Sequence, residues 1–506
     1  MKKRLLPILF LCLSLLLAAC GAASGSAGST NAQASPAATS VASSVAASPS
    51  ASEEPKKEPV HLVWYGYNTP EKDHDMVMAE LNKYLTEKIN VEIEANLLAG
   101  DDYKTKVPIV LSSGQTVDVV FSASFTNYYV GLAASGMLEP LDDLLAQHAP
   151  KTLALYDASI WDGTRINGKI YGIPSYKDLA AAYYIYFNLV LAVKHAIDLS
   201  QVKTYADAEA ALKIIKEKEP AIIPTSITRD YMWQLLPFDS MTGMREIPVV
   251  FLNEGGDGKV FNGMEHPAFL EMAKKLHAWA KAGYITPDAA VKESYATEFN
   301  AGQVFASFLQ TTPGDSVTVE AANGFKLVEK PIREPIIGTG AATGSNQCIP
   351  VNSQHKVEAM QFLDLLATDA YVNNLLRIDT FFTRLPEGMT AKDSPYSIGR
   401  SWSFGNMMLT LLEKGQPADK WKQLTEFNKS AKLSPSFGFS FNPEAVATEI
   451  AACKAVWNEF LPALLTGAVE PESYTAKAID KMKVAGLDTI MVEAQKQYDA
   501  YLAAKK

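Results

Sequence analysis

Residues 60–68 read VHLVWYGYN, residues 90–98 read NVEIEANLL, and residues 116–122 read TVDVVFS. The first alternates and then runs apolar, the second alternates, and the third is nearly all apolar, so each reads as a strand. Between the first two, Val77, Leu81, Tyr84 and Leu85 recur at helical spacing. They predict a helix over Asp75–Ile89, with Asp73 or Asp75 able to cap its N-terminus. Between the second and third, a helix with Pro108 near its first turns is expected to end at Ser112-Ser113-Gly114. Strand, helix, strand, helix, strand is the order of an α/β protein with a parallel sheet covered on both faces. Ligands of such sheets bind beyond the carboxyl ends of the strands. That rule points at Trp64–Asn68 and Ser122–Tyr129, both rich in aromatic and small polar residues.

Upstream, residues 21–59 are Ala, Ser, Gly, Thr and Pro followed by EEPKKEP. With almost no large apolar residue this segment cannot offset its ordering entropy, and it reads as a flexible stalk over residues 20–59. Before it stands MKKRLLPILFLCLSLLLAAC. Lys2, Lys3 and Arg4 form a basic n-region, and Leu5 to Leu17 form an apolar stretch too short to span a bilayer comfortably. Leu17-Ala18-Ala19-Cys20 resembles a bacterial lipobox, which implies loss of residues 1–19 and a diacylglycerol on Cys20. The protein is then expected outside the cytoplasm, anchored to the outer face of the cell membrane. The other reading is an ordinary signal peptide with a chance cysteine.

The chain of 506 residues carries −10, and loss of the three leader cations takes it to −13. That balance argues against a nucleic-acid partner and against electrostatic adhesion to anionic lipid. The length suits two or three domains, or two large lobes. Cys348 and Cys453 remain in the body and read as two buried thiols rather than a disulfide framework.

Further along, residues 205–218, 267–282, 355–377, 406–414 and 443–466 show apolar residues at three-four spacing, with Pro443 at a helix start. Residues 474–504 read as a helical pair broken at Gly486. Catalytic signals are missing: there is no HExxH, GxSxG or Walker loop. Gly338, Gly340 and Gly344 miss the dinucleotide spacing, and Asn253–Gly258 reads as a hairpin turn rather than a calcium loop. The seven His show no metal-ligand spacing. No cofactor and no metal is expected. A carboxylate pair of the kind a glycosidase uses stays open among the 56 acids.

Several segments resemble the extracellular solute-binding proteins of ATP-driven (ABC) sugar importers, the group similar to maltose-binding protein. They are SSGQTVDVVFS (112–122), YVGLAASGMLEPLDDLL (129–145), WDGTRINGKIYGIPSY (161–176), YYIYFN (183–188), FNAGQVFASF (299–308) and IPVNSQHKVEAMQFLDLLATD (349–369). Near the end, WSFGNMML (402–409), FNKSAKLSPSFGFSFNPEAVATEIAAC (427–453), LLTGAVEPES (464–473) and KAIDKMKVAGLDTIMVEAQKQYDAY (477–501) resemble the C-terminal extension, DUF3502, of a lipoprotein subfamily in that group. Residues 374–389, NLLRIDTFFTRLPEGM, depart from the subfamily, which usually has Tyr-Gly-Ile-Glu-Gly there.

The resemblance implies a type II periplasmic-binding-protein-like α/β fold, with a mixed sheet flanked by helices in each lobe. One lobe would hold 60–175 and 337–382; the other would hold 176–336 and 383–506, with the extension from about 390. Ligand would sit in the cleft, and a monomer would close on it and dock on an ABC permease. A saccharide site pairs flat aromatic faces with planar polar groups. Strand-end position selects Trp64, Tyr67 and Asn68, then Ser122, Ser124 and Tyr128, with Tyr176 and Asp178 at the crossing. The second lobe would add Arg229, Trp233 and Gln310, and the extension Trp402 and Asn406. For each aromatic the competing role is core packing, the role expected of Trp279, Trp421 and Trp457. Two other functions fit the same features: a secreted lipoprotein glycan hydrolase, and a sugar-sensing receptor for a membrane signalling partner.

Overall fold

The computed structural model describes residues 57–69, 74–98, 100–229, 231–240, 247–252, 257–378, 401–412 and 416–504. Strand β1 (Val60–Tyr67) sends alternate side chains to opposite faces. Leu62 and Trp64 join the buried cluster that includes Val77, Leu81 and Leu85 of helix α1 (His74–Ile89). Tyr67 joins the cluster on the other face, with Tyr103, Val107 and Leu111 of helix α2 (Gly100–Ser112). Each apolar side chain so buried contributes roughly 1.5–3 kcal/mol relative to exposure. Pro108 sits in the later half of α2, not its first turns. Gly114, two residues beyond the helix, takes φ +77°, which a side chain would oppose.

β1 is central: it pairs in parallel with β2 (Val91–Leu98) on one side and β3 (Val119–Ser122) on the other. The strand Asn346–Cys348 then adds to β3 antiparallel, and Ile173–Pro174 adds to it in turn. This first sheet is therefore mixed because the chain leaves the lobe and returns. The second lobe is built on Leu327–Pro331, Tyr183–Asn188, Val304–Gln310 and Ile223–Ser226, hydrogen-bonded in that order.

Three connecting segments lie side by side between the sheets. Ala181 and Ile336 exchange backbone hydrogen bonds of 2.8 and 3.3 Å, and Ile336–Ile337 pairs in parallel with Lys432–Leu433. The helices Ala447–Leu465, Pro471–Val484 and Leu487–Ala504 of the C-terminal extension join the second-lobe core through Trp457, Leu461, Met482 and Ile490. Both body cysteines are buried free thiols.

Two expectations change here. The helix expected over 406–414 is not formed in its described part, 406–412: Asn406 caps only a short 3₁₀ turn, Met407–Leu409. The expected lobe boundary at 382 lies outside the described residues. Past it, Trp402 and Phe404 pack on the first lobe rather than the second, because Phe404 fills the space beside Trp64.

Glu470 caps the helix Pro471–Val484, accepting from the Glu472 and Ser473 N–H groups at 3.1 and 2.9 Å. The Ser473 hydroxyl, donating to the same carboxylate at 2.7 Å, and then these two backbone bonds favour the charged form and hold the carboxyl at about 2, below the ordinary 4.5. A depressed pKa contributes stability above the unfolded value and loses it as pH falls through the folded one. Glu470→Ala is therefore expected to lower Tm at pH 7, and the gap to the parent should close between about pH 4.5 and about pH 2, measured by circular-dichroism melts.

Candidate functional site

The sheet ends that flank the connecting segments follow from the register. In the first lobe Ser122 and Pro174 both pair with Asn346. In the second, Tyr183 pairs with Gln310, and Tyr184 with Pro331. These two edges are where chain passes from lobe to lobe.

At the first edge an aromatic platform forms. Tyr67 stacks on Phe121 with ring centroids 5.3 Å apart, and Phe125 meets Tyr67 edge-on at 5.6 Å. Trp402 completes the group, 5.9 Å from Phe125, 6.1 Å from Tyr67 and 6.2 Å from Phe121. Phe125 is 47% exposed, and Trp402 is half-buried. The platform thus has a packed base and an open rim, the arrangement that stacks a flat apolar ligand face. The loop that carries Phe125 is held from below: Asn127, at φ +44°, donates to the Phe121 carbonyl at 2.9 Å, and Ser122 Oγ donates to the Asn127 carbonyl. Ser124 N–H donates across to the Thr343 carbonyl at 3.1 Å.

The second edge is polar and aromatic. Gln310 ends its strand exposed. The Arg333 guanidinium lies over the Tyr183 ring, 5.6 Å from its centroid, and donates to the Gln234 carbonyl at 2.7 Å. Between the edges, Tyr176 donates its N–H to the Gly405 carbonyl at 2.8 Å and packs edge-on against Tyr156. Asp178 pairs with Lys177 at 3.7 Å and is partly exposed.

Of the residues selected from sequence, Tyr67, Ser124, Trp402, Tyr176, Asp178 and Gln310 lie along these edges and the segment between them. Trp64 does not. It is fully buried, edge-on to Phe362 and Phe404, with Nε1 donating to Gln347 Oε1 at 3.0 Å. Its place three residues before the strand end, on the α1 face, puts it in the core. Trp233 is likewise buried, against Trp457, Phe269 and Phe238.

Three polar candidates also belong to the scaffold. Asn68 is buried and donates to Ser403 Oγ at 3.0 Å. Ser122 is buried in the turn contact above, and Asn406 donates to the Ala367 carbonyl at 3.1 Å while capping its turn. Arg229 pairs with Glu293 at 2.8 Å on the surface. Tyr128 donates its hydroxyl to the Phe441 carbonyl of the other lobe, and burial pushes its phenol pKa up. Trp279 and Trp457 are core, as expected, whereas Trp421 is half-buried and donates to the Thr410 carbonyl at 2.7 Å.

Sequence reasoning missed Phe125, Arg333 and Tyr183. Phe125 lies inside the loop already singled out and could have been found as its one large apolar residue. Arg333 and Tyr183 carry no local signal, because only sheet pairing brings them to the edge. Arg377 was also missed. Buried, it donates to the Phe404 carbonyl and to Asn373 Oδ1, with its guanidinium 4.3 Å from the Phe404 ring centroid. Burial lowers its pKa to about 9, which leaves it charged at neutral pH. A cavity of about 390 Å³ opens beside Ile223, Pro224 and Ile285, at the start of the strand whose other end faces the connecting segments. It is remote from the aromatic platform. Among the described residues no group of His, Cys, Asp and Glu could hold a metal ion.

Residues 70–373 match the family model for bacterial extracellular solute-binding proteins, and residues 435–503 match DUF3502, a domain of unknown function. A carbohydrate ABC transporter substrate-binding protein of Streptococcus pneumoniae serotype 4 is 30% identical over 454 residues, covering 85% of this chain and 89% of the relative. Among solved structures, the N-glycan transport solute binding protein NgtS of S. pneumoniae superposes with a TM-score of 0.78 at 27% identity, covering 88% of this chain and all of the other. Its complex with Man5GlcNAc gives 0.68 at the same identity, over 88% and 99% of the two chains. The alginate-binding protein AlgQ2 without calcium shares the fold, with a TM-score of 0.59 at 18% identity over 87% and 98%.

A core role for Trp64 has a direct consequence. Trp64→Ala is expected to cost about 3–5 kcal/mol of stability by urea denaturation, the scale of a large-to-small aromatic substitution in a core.

Proposed function

Because this chain belongs to the bacterial extracellular solute-binding protein family, we propose that it captures an oligosaccharide between its two lobes and delivers it to an ABC permease. The observation that carries this reading is the platform of Tyr67, Phe121, Phe125 and Trp402, packed at its base and open at Phe125. Sugars present an apolar C–H face beside a ring of hydroxyls. The platform takes the face, while Gln310, Arg333 and Asp178 supply directional hydrogen bonds. The carbohydrate transporter relative supports a saccharide cargo, and the likeness to NgtS, solved with Man5GlcNAc, supports an N-glycan-type oligosaccharide.

Capture of this kind needs no bond-making step. A solute that touches both lobes favours the closed form by the contacts it gains there. The protein acts as a binding protein rather than an enzyme, as a monomer, outside the cytoplasm. A lipid on Cys20, which lies outside the described residues, would tether it near the permease. The acidic balance of the chain leaves that tethering to the lipid.

The test is a thermal-shift screen followed by calorimetry, with mannose-rich oligosaccharides, other glycans, amino acids and polyamines. Binding to the folded state raises Tm by mass action. A shift with one glycan class and no product is the expected result. Glycan fragments would make the protein a hydrolase, and a shift with only a polyamine or an amino acid would overturn the carbohydrate assignment. Phe125→Ala is expected to weaken glycan affinity about tenfold, the scale of one lost aromatic contact, with the free protein still cooperatively folded and its Tm only modestly lowered by the lost ring contacts.

A further inference from the structure

Residues 434–442 run between the last helix of the extension and the first lobe. On the helix side, Tyr498 and Tyr501 donate to the carbonyls of Pro435 and Phe437 at 3.1 and 2.9 Å. Gln497 holds Asn442 twice, accepting its N–H at 2.8 Å and donating to its carbonyl at 2.9 Å. On the other side, Phe437 is buried in the first-lobe core. A Cβ on Gly163 would fall 2.6 Å from that ring, so the close approach requires glycine there. Ser436 hydrogen-bonds Thr339 of a connecting segment. Phe439 and Phe441 turn back into the second-lobe core, and the Phe441 carbonyl accepts from Tyr128 of the first lobe.

We infer that the C-terminal extension works as an interlobe strap, in which the last helix holds residues 434–442 against the first lobe and Tyr128 is the positioning residue that registers the Phe125 loop against the second. The strap is anchored by three side chains of one helix and touches the first lobe at Phe437 and Tyr128. Movement of the helix is therefore transmitted to the loop that carries the platform rim. A hydrogen bond made across the lobes stabilises the arrangement in which it forms, and so shifts the open–closed equilibrium from which any solute must select. This role does not depend on which solute is bound.

The experiment is amide hydrogen exchange on the full chain without ligand, comparing the parent with Tyr128→Phe and Tyr501→Phe. Tyr128→Phe keeps the ring that packs over Gly131 and removes only the hydroxyl. Tyr501→Phe acts in the other lobe, through Phe437. Both variants are expected to speed exchange severalfold at residues 123–129, including the Ser124 amide that bonds to Thr343, and to leave β1 protected. The Tyr501 variant is the decisive one, since a purely local role would leave residues 123–129 at their parental rate. That result, or faster exchange confined to residues 434–442, overturns the strap. Because no sugar is present, failure here leaves the carbohydrate assignment untouched.

Discussion

The side-chain amide of Gln347 is the joint on which the candidate site depends. Its Oε1 accepts from Trp64 Nε1 at 3.0 Å, and its Nε2 donates to the Ser403 carbonyl at 2.8 Å, with the residue 3% exposed. One group thus joins the central strand, the strand that returns from the second lobe, and the segment that carries Trp402. In a buried setting, leaving either end unmade would cost about 1–3 kcal/mol, so the three segments are held in one arrangement. Ser345 adds a bond from its hydroxyl to the Trp402 carbonyl at 3.0 Å. The platform is built on a polar joint inside an apolar core.

That design divides labour between the lobes. The first supplies a rigid aromatic surface, because Tyr67 and Phe121 pack against α2 and only Phe125 and Trp402 reach the rim. The second supplies an edge of hydrogen-bonding groups at the ends of Tyr183–Asn188 and Val304–Gln310. Neither edge by itself surrounds a solute. The proposed capture would therefore need both edges brought together on one solute. The extension is continuous with the second-lobe core, so the match to DUF3502 marks an integral part of the lobe rather than an appendage.

Much of this was legible along the chain. The alternation of β1 and β2 and the spacing of α1 placed the first sheet to within a residue or two, because the apolar period of each element is local. Strand-end reasoning picked Tyr67, Ser124 and Gln310, and the resemblance of the extension picked Trp402; all four lie along the two edges or the segment between them. Strand-end reasoning failed at Trp64 for a reason of pleat: Trp64 and Tyr67 are three apart and point to opposite faces, toward α1 and α2, and the rule of strand ends does not say which face stays covered. Trp233 failed because the extension, more than 200 residues later, brings Trp457 against it at 4.9 Å. Asn68, Ser122 and Asn406 have the chemistry of ligand residues and spend it on the backbone and side chains of neighbouring segments.

The sequence by itself determined the α/β class and the acidic balance, which rest on short-range periodicity and composition, and the family resemblance, which rests on motifs and their order; it also pointed to the loop after β3, where Phe125 lies exposed. Only the tertiary structure decided which aromatics face solvent, that residues 401–406 belong with the first lobe, and that Tyr183 and Arg333 share an edge with Gln310. Those outcomes depend on pairings such as Trp64 with Gln347, 283 residues apart. No local pattern encodes them, because burial is a property of what the rest of the chain brings alongside.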